Sequence, residues 1–377
     1  MTDVVIVAGE TSGDQLAADL VERVCAVAPE IRFHGVAGPR MRAAGVQTWI
    51  DSETLAVRGY AEVVGALPRI FRAKRELIER TQALKPALYI GVDAPDFNLG
   101  LETALKAQGI PTVHFVCPSI WAWRADRVEK IRRAADHVLC IFPFEPALLA
   151  QHGIAATYVG HPLANVIPLE PDRAAARLKL GLAPDARVVA ILPGSRKSEV
   201  EYLALRFFQA AALMQQAYPA MQFIVPAVPT LRARIEALAA EAGMAGRIQI
   251  VPGQSHTVLA ACDATLIASG TATLEAALFK RPMVIGYRMH ALSWQLMKRL
   301  RYQPWVGLPN ILSRDFVVPE LIQEDCQPAA LAAATLRWLD DNAAAAALTR
   351  RFDDLHHSLR RDTARCAADV LAQVLQA

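Results

Sequence analysis

Asp93-Ala94-Pro95-Asp96 sets two carboxylates around a proline, directly after the apolar run 87–92. A run so dense in apolar residues reads as a strand buried on both faces, which puts the acids at its carboxyl end. A carboxylate held there can take a proton from an attacking alcohol as general base. Pro95 stiffens the loop and is expected to keep Ala94 extended, so that Asp93 loses little entropy on being positioned. A plain Asp-Pro turn with a solvated acid uses the same residues. The spacing is not the Asp-x-Asp of a metal-dependent nucleotide-sugar clamp, and no second acidic cluster supports a metal.

Phosphate chemistry is expected elsewhere. Leu192-Pro193-Gly194-Ser195-Arg196-Lys197-Ser198-Glu199 follows the apolar run 188–192 and opens a helix. A glycine, a hydroxyl, a guanidinium and a helix dipole together suit a diphosphate. A second strand-to-helix loop carries Ser269, Gly270 and Thr271, with Glu275 one turn on and placed to accept from ribose hydroxyls. The opening stretch 4–14 looks at first like a third such loop, with Ser12 or Asp14 capping a helix through Leu16, Leu20 and Val24. Small and hydroxyl residues suit any tight turn. The weight therefore rests on two loops and an arginine recurring in one half of the chain.

Alternating strand-like and helix-like segments position these loops. Strands are expected at 4–8, 33–36, 48–50, 87–92, 112–117, 136–141 and 158–159, with a helix over 61–84. After the punctuation from Gly160 to Pro171 the alternation restarts, at 188–192, 222–225, 248–251, 264–267 and 283–287. Such alternation implies right-handed crossovers and parallel sheets, an α/β class with two doubly wound domains. The expected division is 1–161, 162–345 and a helical segment 346–377, with the carboxyl edges of the two sheets facing a cleft.

Of 377 residues, 53% are hydrophobic and 20% charged, and the net charge of +3 is too balanced for a nucleic-acid binder. No apolar run reaches the roughly 18 residues of a membrane span, and no secretory signal is expected. Six scattered cysteines without metal-ligand spacing suggest a reduced, cytoplasmic compartment. Within 61–80, Val63, Val64, Leu67, Ile70 and Phe71 recur at helical spacing among Arg69, Arg72, Lys74 and Arg75. That stripe either packs on the sheet or lies in an anionic headgroup zone, and Pro68, expected to kink or split the helix, favours exposure. Trp121 reads as packing against its own domain, Trp123 stays open as a pocket residue, and His161 reads equally as structural or as a ligand.

Two Rossmann-like halves, with phosphate loops in the second and an acid in the first, resemble the GT-B glycosyltransferase layout. The strings Gly9-Glu10-Thr11-Ser12-Gly13-Asp14, Gly35-Val36-Ala37-Gly38-Pro39-Arg40-Met41, Asp93-Ala94-Pro95-Asp96-Phe97-Asn98, Leu192-Pro193-Gly194-Ser195-Arg196, Gly286-Tyr287-Arg288-Met289 and Leu308-Pro309-Asn310 resemble, in order, the lipid-A-disaccharide synthase family.

The resemblance implies transfer of a 2,3-diacylglucosamine from UDP to the 6-hydroxyl of 2,3-diacylglucosamine 1-phosphate, without metal or other cofactor. An α-linked donor giving a β product implies inversion, with Asp93 as the single base and no covalent sugar intermediate. It further implies UDP binding by Ser195, Arg196, Glu199, Ser269, Gly270, Thr271, Glu275, Arg288 and Asn310, and an acceptor side of Glu10, Ser12, Asp96 and Asn98. Family members are peripheral proteins on the cytoplasmic face of the inner membrane of Gram-negative bacteria, which would turn the 61–80 stripe to an anionic lipid surface. The long C-terminal helices leave a homodimer open. The rival readings are another GT-B enzyme using UDP-N-acetylglucosamine and a non-catalytic nucleotide-sugar-binding protein at the membrane.

Overall fold

A computed structural model of the chain describes residues 1–55, 60–121, 127–290, 294, 295, 298 and 303–376. By packing, the chain divides into two units, Met1–Asn165 with Ser358–Ala377, and Val166–His357. The helical segment over 346–377, expected to pack back on the protein or on a partner subunit, is thus shared by the two units. Its helix Asn342–Leu359 crosses the division, and its last helix, Thr363–Gln376, packs on the first, Thr11–Val27.

The first unit holds strands β1 (Thr2–Ala8), β2 (Ile31–Ala37), β3 (Gln47–Asp51), β4 (Leu88–Val92), β5 (Thr112–Phe115), β6 (His137–Cys140) and β7 (Ala156–Tyr158). They form one sheet in the order β3-β2-β1-β4-β5-β6-β7, with every pairing parallel. The second unit holds β8 (Val188–Leu192), β9 (Gln222–Ala227), β10 (Ile248–Pro252), β11 (Ala264–Ala268), β12 (Met283–Tyr287) and β13 (Glu320–Ile322), in the order β10-β9-β8-β11-β12-β13. Both are doubly wound sheets whose strand order reverses once, between β1 and β4 and between β8 and β11. Ligands of such sheets bind outside the carboxyl ends at that reversal. Strands β4, β8 and β11 are buried along their whole length, as helices covering both faces require. Each large apolar side chain sealed there contributes about 1.5–3 kcal/mol. β13 was not expected, because three half-buried residues carry too little pattern to read.

Register levels the loops that matter. Ala8 pairs with Val92 and Ile267 with Leu192, so the loops leaving β1 and β4 start side by side, as do those leaving β8 and β11. Two local expectations are corrected. Asp14 does not cap its own helix, whose N-cap is Glu10. Its buried carboxylate accepts the backbone N–H groups of Gly38 (2.9 Å), Arg40 (3.0 Å) and Met41 (3.1 Å), capping the short helix Pro39–Ala43 instead. Gly38 is glycine for the same reason, since a Cβ there would stand 2.5 Å from Asp14 Cγ.

The second correction is that Pro68 does not split its helix, which runs unbroken over Tyr60–Leu84. Ala73, Leu77 and Thr81 recur every fourth residue and are buried, while Phe71 is 64% exposed. The carboxyl half of this helix therefore packs inward with Phe71 outside, and the side chains of Val63, Val64 and Leu67 lie outside the described residues.

Candidate active site

In the second unit β8 turns at Gly194 into the helix Lys197–Ala217. Gly194 sits at φ +115, and a Cβ there would meet Glu199 Oε2 at 2.4 Å. Glu199 closes the turn as a capping box, accepting from Ser195 N (2.9 Å), Arg196 N (3.2 Å) and Arg196 Nη1 (3.2 Å). The residue expected to bind UDP thus spends its carboxylate on shaping the loop, although it also lines the cavity beside it. The loop leaving β11 turns at Gly270 (φ +152) into the helix Thr271–Leu278, whose Thr273 Oγ1 donates to Gly270 O at 2.7 Å. Ser269 donates its hydroxyl to Val306 O (2.8 Å) and so ties down a neighbouring loop.

Between these two helix N-termini opens a cavity of about 460 Å³, lined by Gly194, Ser195, Arg196, Ser269, Gly270, Thr271 and Glu275. That volume suits a small-molecule ligand, and two helix dipoles with the exposed Arg196 guanidinium (81% exposed) select an anionic one. Burial pushes the Glu275 carboxyl up, and His256, 3.8 Å away, opposes the shift. The remaining wall, from Pro226 to Pro229 and at Gly253 and Ser255, was missed in the sequence because these residues bring shape and no distinctive chemistry.

Arg288 and Asn310 are placed differently from expectation. Arg288 donates to Gln323 O at 3.2 Å and does not line this cavity. Asn310 is fully buried, with both ends of its amide bonded to Val318 and a further bond to Glu320. Glu320 in turn holds the N–H groups of Val306 (2.9 Å) and Gly307 (2.8 Å), which makes Asn310 a tie for that loop.

In the first unit Asp93 follows β4 with φ +53, and Ala94 has φ +42. Ala94 is therefore left-handed, not extended. Pro95 excludes the right-handed helical well for Ala94, and the immediate start of the helix Pro95–Lys106 turns the chain the other way. Val116, at the end of β5, is left-handed too (φ +81), a costly conformation for a β-branched residue. Each such residue costs about 1–3 kcal/mol, so their gathering at one sheet edge calls for support. The support is visible: Asp93 N donates to Phe115 O (2.8 Å), and Asn98 Nδ2 donates to Asp93 O (2.9 Å) and Val92 O (3.3 Å). Asn98, expected on the acceptor side, is fully buried and props the turn.

The Asp93 carboxylate is half-buried, and among the described residues it has no hydrogen-bond or ion-pair partner. Asp96 is exposed and pairs with Arg127 at 2.6 Å, and Glu10 and Ser12 are exposed at the N-terminus of the neighbouring helix Thr11–Val27. Gly9 brings that loop against Ala94, with a Cβ position 3.6 Å from the Ala94 Cβ. Beneath the turn lies a polar stack that was not singled out in the sequence: Tyr89, Glu102 and His114, all fully buried.

Trp121 packs edge-on against Phe142 and Phe144 and donates to Glu145 (3.0 Å), while Trp123 lies outside the described residues. Glu145 also accepts from Phe142 N, and burial lifts its carboxyl to about 7. One of its oxygens and the Cys117 and Cys140 sulfurs lie within 4.8 Å of one another. The Cys140 contact, together with burial, pushes the Cys117 thiol up. His161 is buried, pushed down to about 4 by burial, and its Nδ1 accepts from Leu163 N at 3.2 Å, a structural role. No helix among the described residues is long and apolar enough to cross a membrane.

Residues 4–371 match a family model described as Lipid-A-disaccharide synthetase. A "Lipid-A-disaccharide synthase" of Verminephrobacter eiseniae is 63% identical over 99% of this chain and 97% of its own length. One of Burkholderia thailandensis is 51% identical over 99% and 96%. Among solved structures, a UDP-GlcNAc 2-epimerase of Neisseria meningitidis bound to UDP-GlcNAc is similar with TM-score 0.65 at 10% identity, covering 100% of both chains. MurG of Acinetobacter baumannii is similar with TM-score 0.59 at 16% identity, over 99% of this chain and 100% of its own. At such identities these two speak for the fold alone.

Proposed function

The chain belongs to the lipid-A-disaccharide synthetase family and is a glycosyltransferase of lipid A biosynthesis, and from that premise we propose how its two units divide the reaction. The second unit holds the donor, UDP-2,3-diacylglucosamine. Its diphosphate lies at the N-termini of the helices Lys197–Ala217 and Thr271–Leu278, where their dipoles favour negative charge, and Arg196 closes on it. Gly270 and Thr271 lie against the phosphates, and Glu275 accepts from ribose hydroxyls.

The first unit presents Asp93 to the 6-hydroxyl of 2,3-diacylglucosamine 1-phosphate, with Glu10, Ser12 and Asp96 on the acceptor side. Asp93 takes the hydroxyl proton as the oxygen attacks the anomeric carbon, and the bond to UDP breaks on the opposite face. One base suffices for this inverting displacement. UDP leaves as an anion that needs charge stabilisation more than a proton, which the helix dipoles and Arg196 supply.

The observation that carries this reading is the Asp93 carboxylate, which has no partner among the described residues and sits on a left-handed turn propped from below. Purified protein given both acylated substrates is expected to release UDP and disaccharide 1-phosphate. Equal turnover of UDP-N-acetylglucosamine without acyl chains would instead favour a different sugar-nucleotide enzyme. Both substrates carry acyl chains, so exposed Phe71 beside Arg72 and Arg75 is read as a contact with an anionic leaflet, on the cytoplasmic face of the inner membrane.

A further inference from the structure

We propose that Glu102 and His114 form a buried pair that positions Asp93 for proton abstraction, acting through Asn98. The inference rests on Asp93 being the base. His114 Nδ1 lies 2.7 Å from Glu102 Oε1, and both side chains are fully buried. Glu102 Oε2 and His114 Nε2 have no hydrogen-bond partner among the described residues, so each group relies on the other. Burying such a pair carries a desolvation cost, and apolar residues of the same size would pack the site at less expense. Packing alone therefore does not account for it.

The position of the pair does. In the sheet Gly91 of β4 pairs with His114 of β5. A Cβ on Gly91 would stand 2.1 Å from Glu102 Oε1 and 2.9 Å from Asn98 Cβ. The missing side chain lets the helix Pro95–Lys106 lie close on β4, and the Glu102–His114 bond crosses that gap to lock the helix to β5. Asn98 and Glu102 are one turn apart on the same helix face. Among the described residues Asn98 alone carries the side-chain bonds to Val92 O and Asp93 O, and its own Oδ1 accepts from the Tyr89 hydroxyl at 3.3 Å. Loosening the lock at Glu102 lets Asn98 shift, and the left-handed Asp93 turn then relaxes toward an unstrained conformation with its carboxylate misaimed. Misplacement by about 1 Å is enough to cost roughly 100-fold in rate.

The test separates rate from binding. Glu102→Leu is expected to lower kcat about 10–100-fold with the donor KM within about twofold of wild type, while Glu102→Gln, which still accepts from His114, restores most of the rate. Glu102→Leu combined with Asn98→Ala should fall no further than the worse single variant, since both act on one turn. If Glu102→Leu does not fold, His114→Gln is measured in its place with the same expectation. A Glu102 or His114 variant that loses only melting temperature, with wild-type kcat below it, overturns the inference. Asp93→Ala run alongside separates the two readings. If it is inactive while the pair's variants keep kcat, only the positioning role fails, and if it is active, the base assignment fails and the positioning role with it.

Discussion

Over six strands the two sheets share one order, yet the crevices at their reversals are built differently. At β8/β11 the loops stay apart, leaving a cavity of about 460 Å³ flanked by two helix N-termini and an exposed arginine. At β1/β4 they close on each other, Gly9 against Ala94, and beside the exposed Glu10 and Asp96 they offer the Asp93 carboxylate on a strained turn. The carboxylates around each crevice follow the same division. Glu199 is spent on the loop that frames the cavity, and Asp14 on capping a helix beside the closed crevice. Asp93 is left without such a duty among the described residues. On the proposed reading one frame thus serves an anion in one unit and presents a base in the other, with loop closure, Arg196 and the helix N-termini making the difference.

The sharpest way to break that comparison is at Asp93. Asp93→Asn keeps the shape and is expected to lower kcat by about 10²–10⁴-fold with little change in donor KM, read in a radiolabelled disaccharide assay. Asp14→Ala should act on the fold and not on the donor. Three amide N–H groups lose their acceptor, so stability drops by about 2–4 kcal/mol in urea unfolding while UDP still binds by calorimetry. Arg196→Ala is expected to weaken UDP binding about 10–100-fold, the worth of a charge-assisted bond partly open to water. An unchanged Kd would move the anion site elsewhere.

A smaller effect tests the buried cluster of the first unit. The Glu145 carboxyl is raised from 4.5 to about 7, so its neutral form contributes stability that is complete below about 4.5 and lost as pH rises through 7. Glu145→Gln should therefore flatten the decline of stability across that window, compared by thermal melts at fixed ionic strength. Smallest of all, Phe71→Ser should lower the fraction of protein that sediments with anionic vesicles, and unchanged sedimentation would remove the lipid contact from that helix face.

Much of this was legible from the chain. Runs such as 87–92 and 188–192 lack charged residues throughout, are short and end at turn residues, as strands covered on both faces do. Such strands bring their following loops to a common edge, and so the approximate places of Asp93, Ser195, Arg196, Thr271 and Glu275 could be read. Asn98 and Asn310 read as ligand contacts because a polar residue that ties a turn and one that binds a sugar are the same residue type in the same motif. Only burial and partners separate the two uses.

The sequence by itself determined the class of fold, the two alternating halves and the loops that carry charge, because hydrophobic periodicity and turn residues are local properties of the chain. The tertiary structure decided which of those charged groups are spent. Asp14 finds its partners 24–27 residues away, and Glu102 meets His114 across a glycine on the strand between them. A carboxylate's availability depends on which donors the fold brings within 3 Å of it, and no spacing along the chain carries that information.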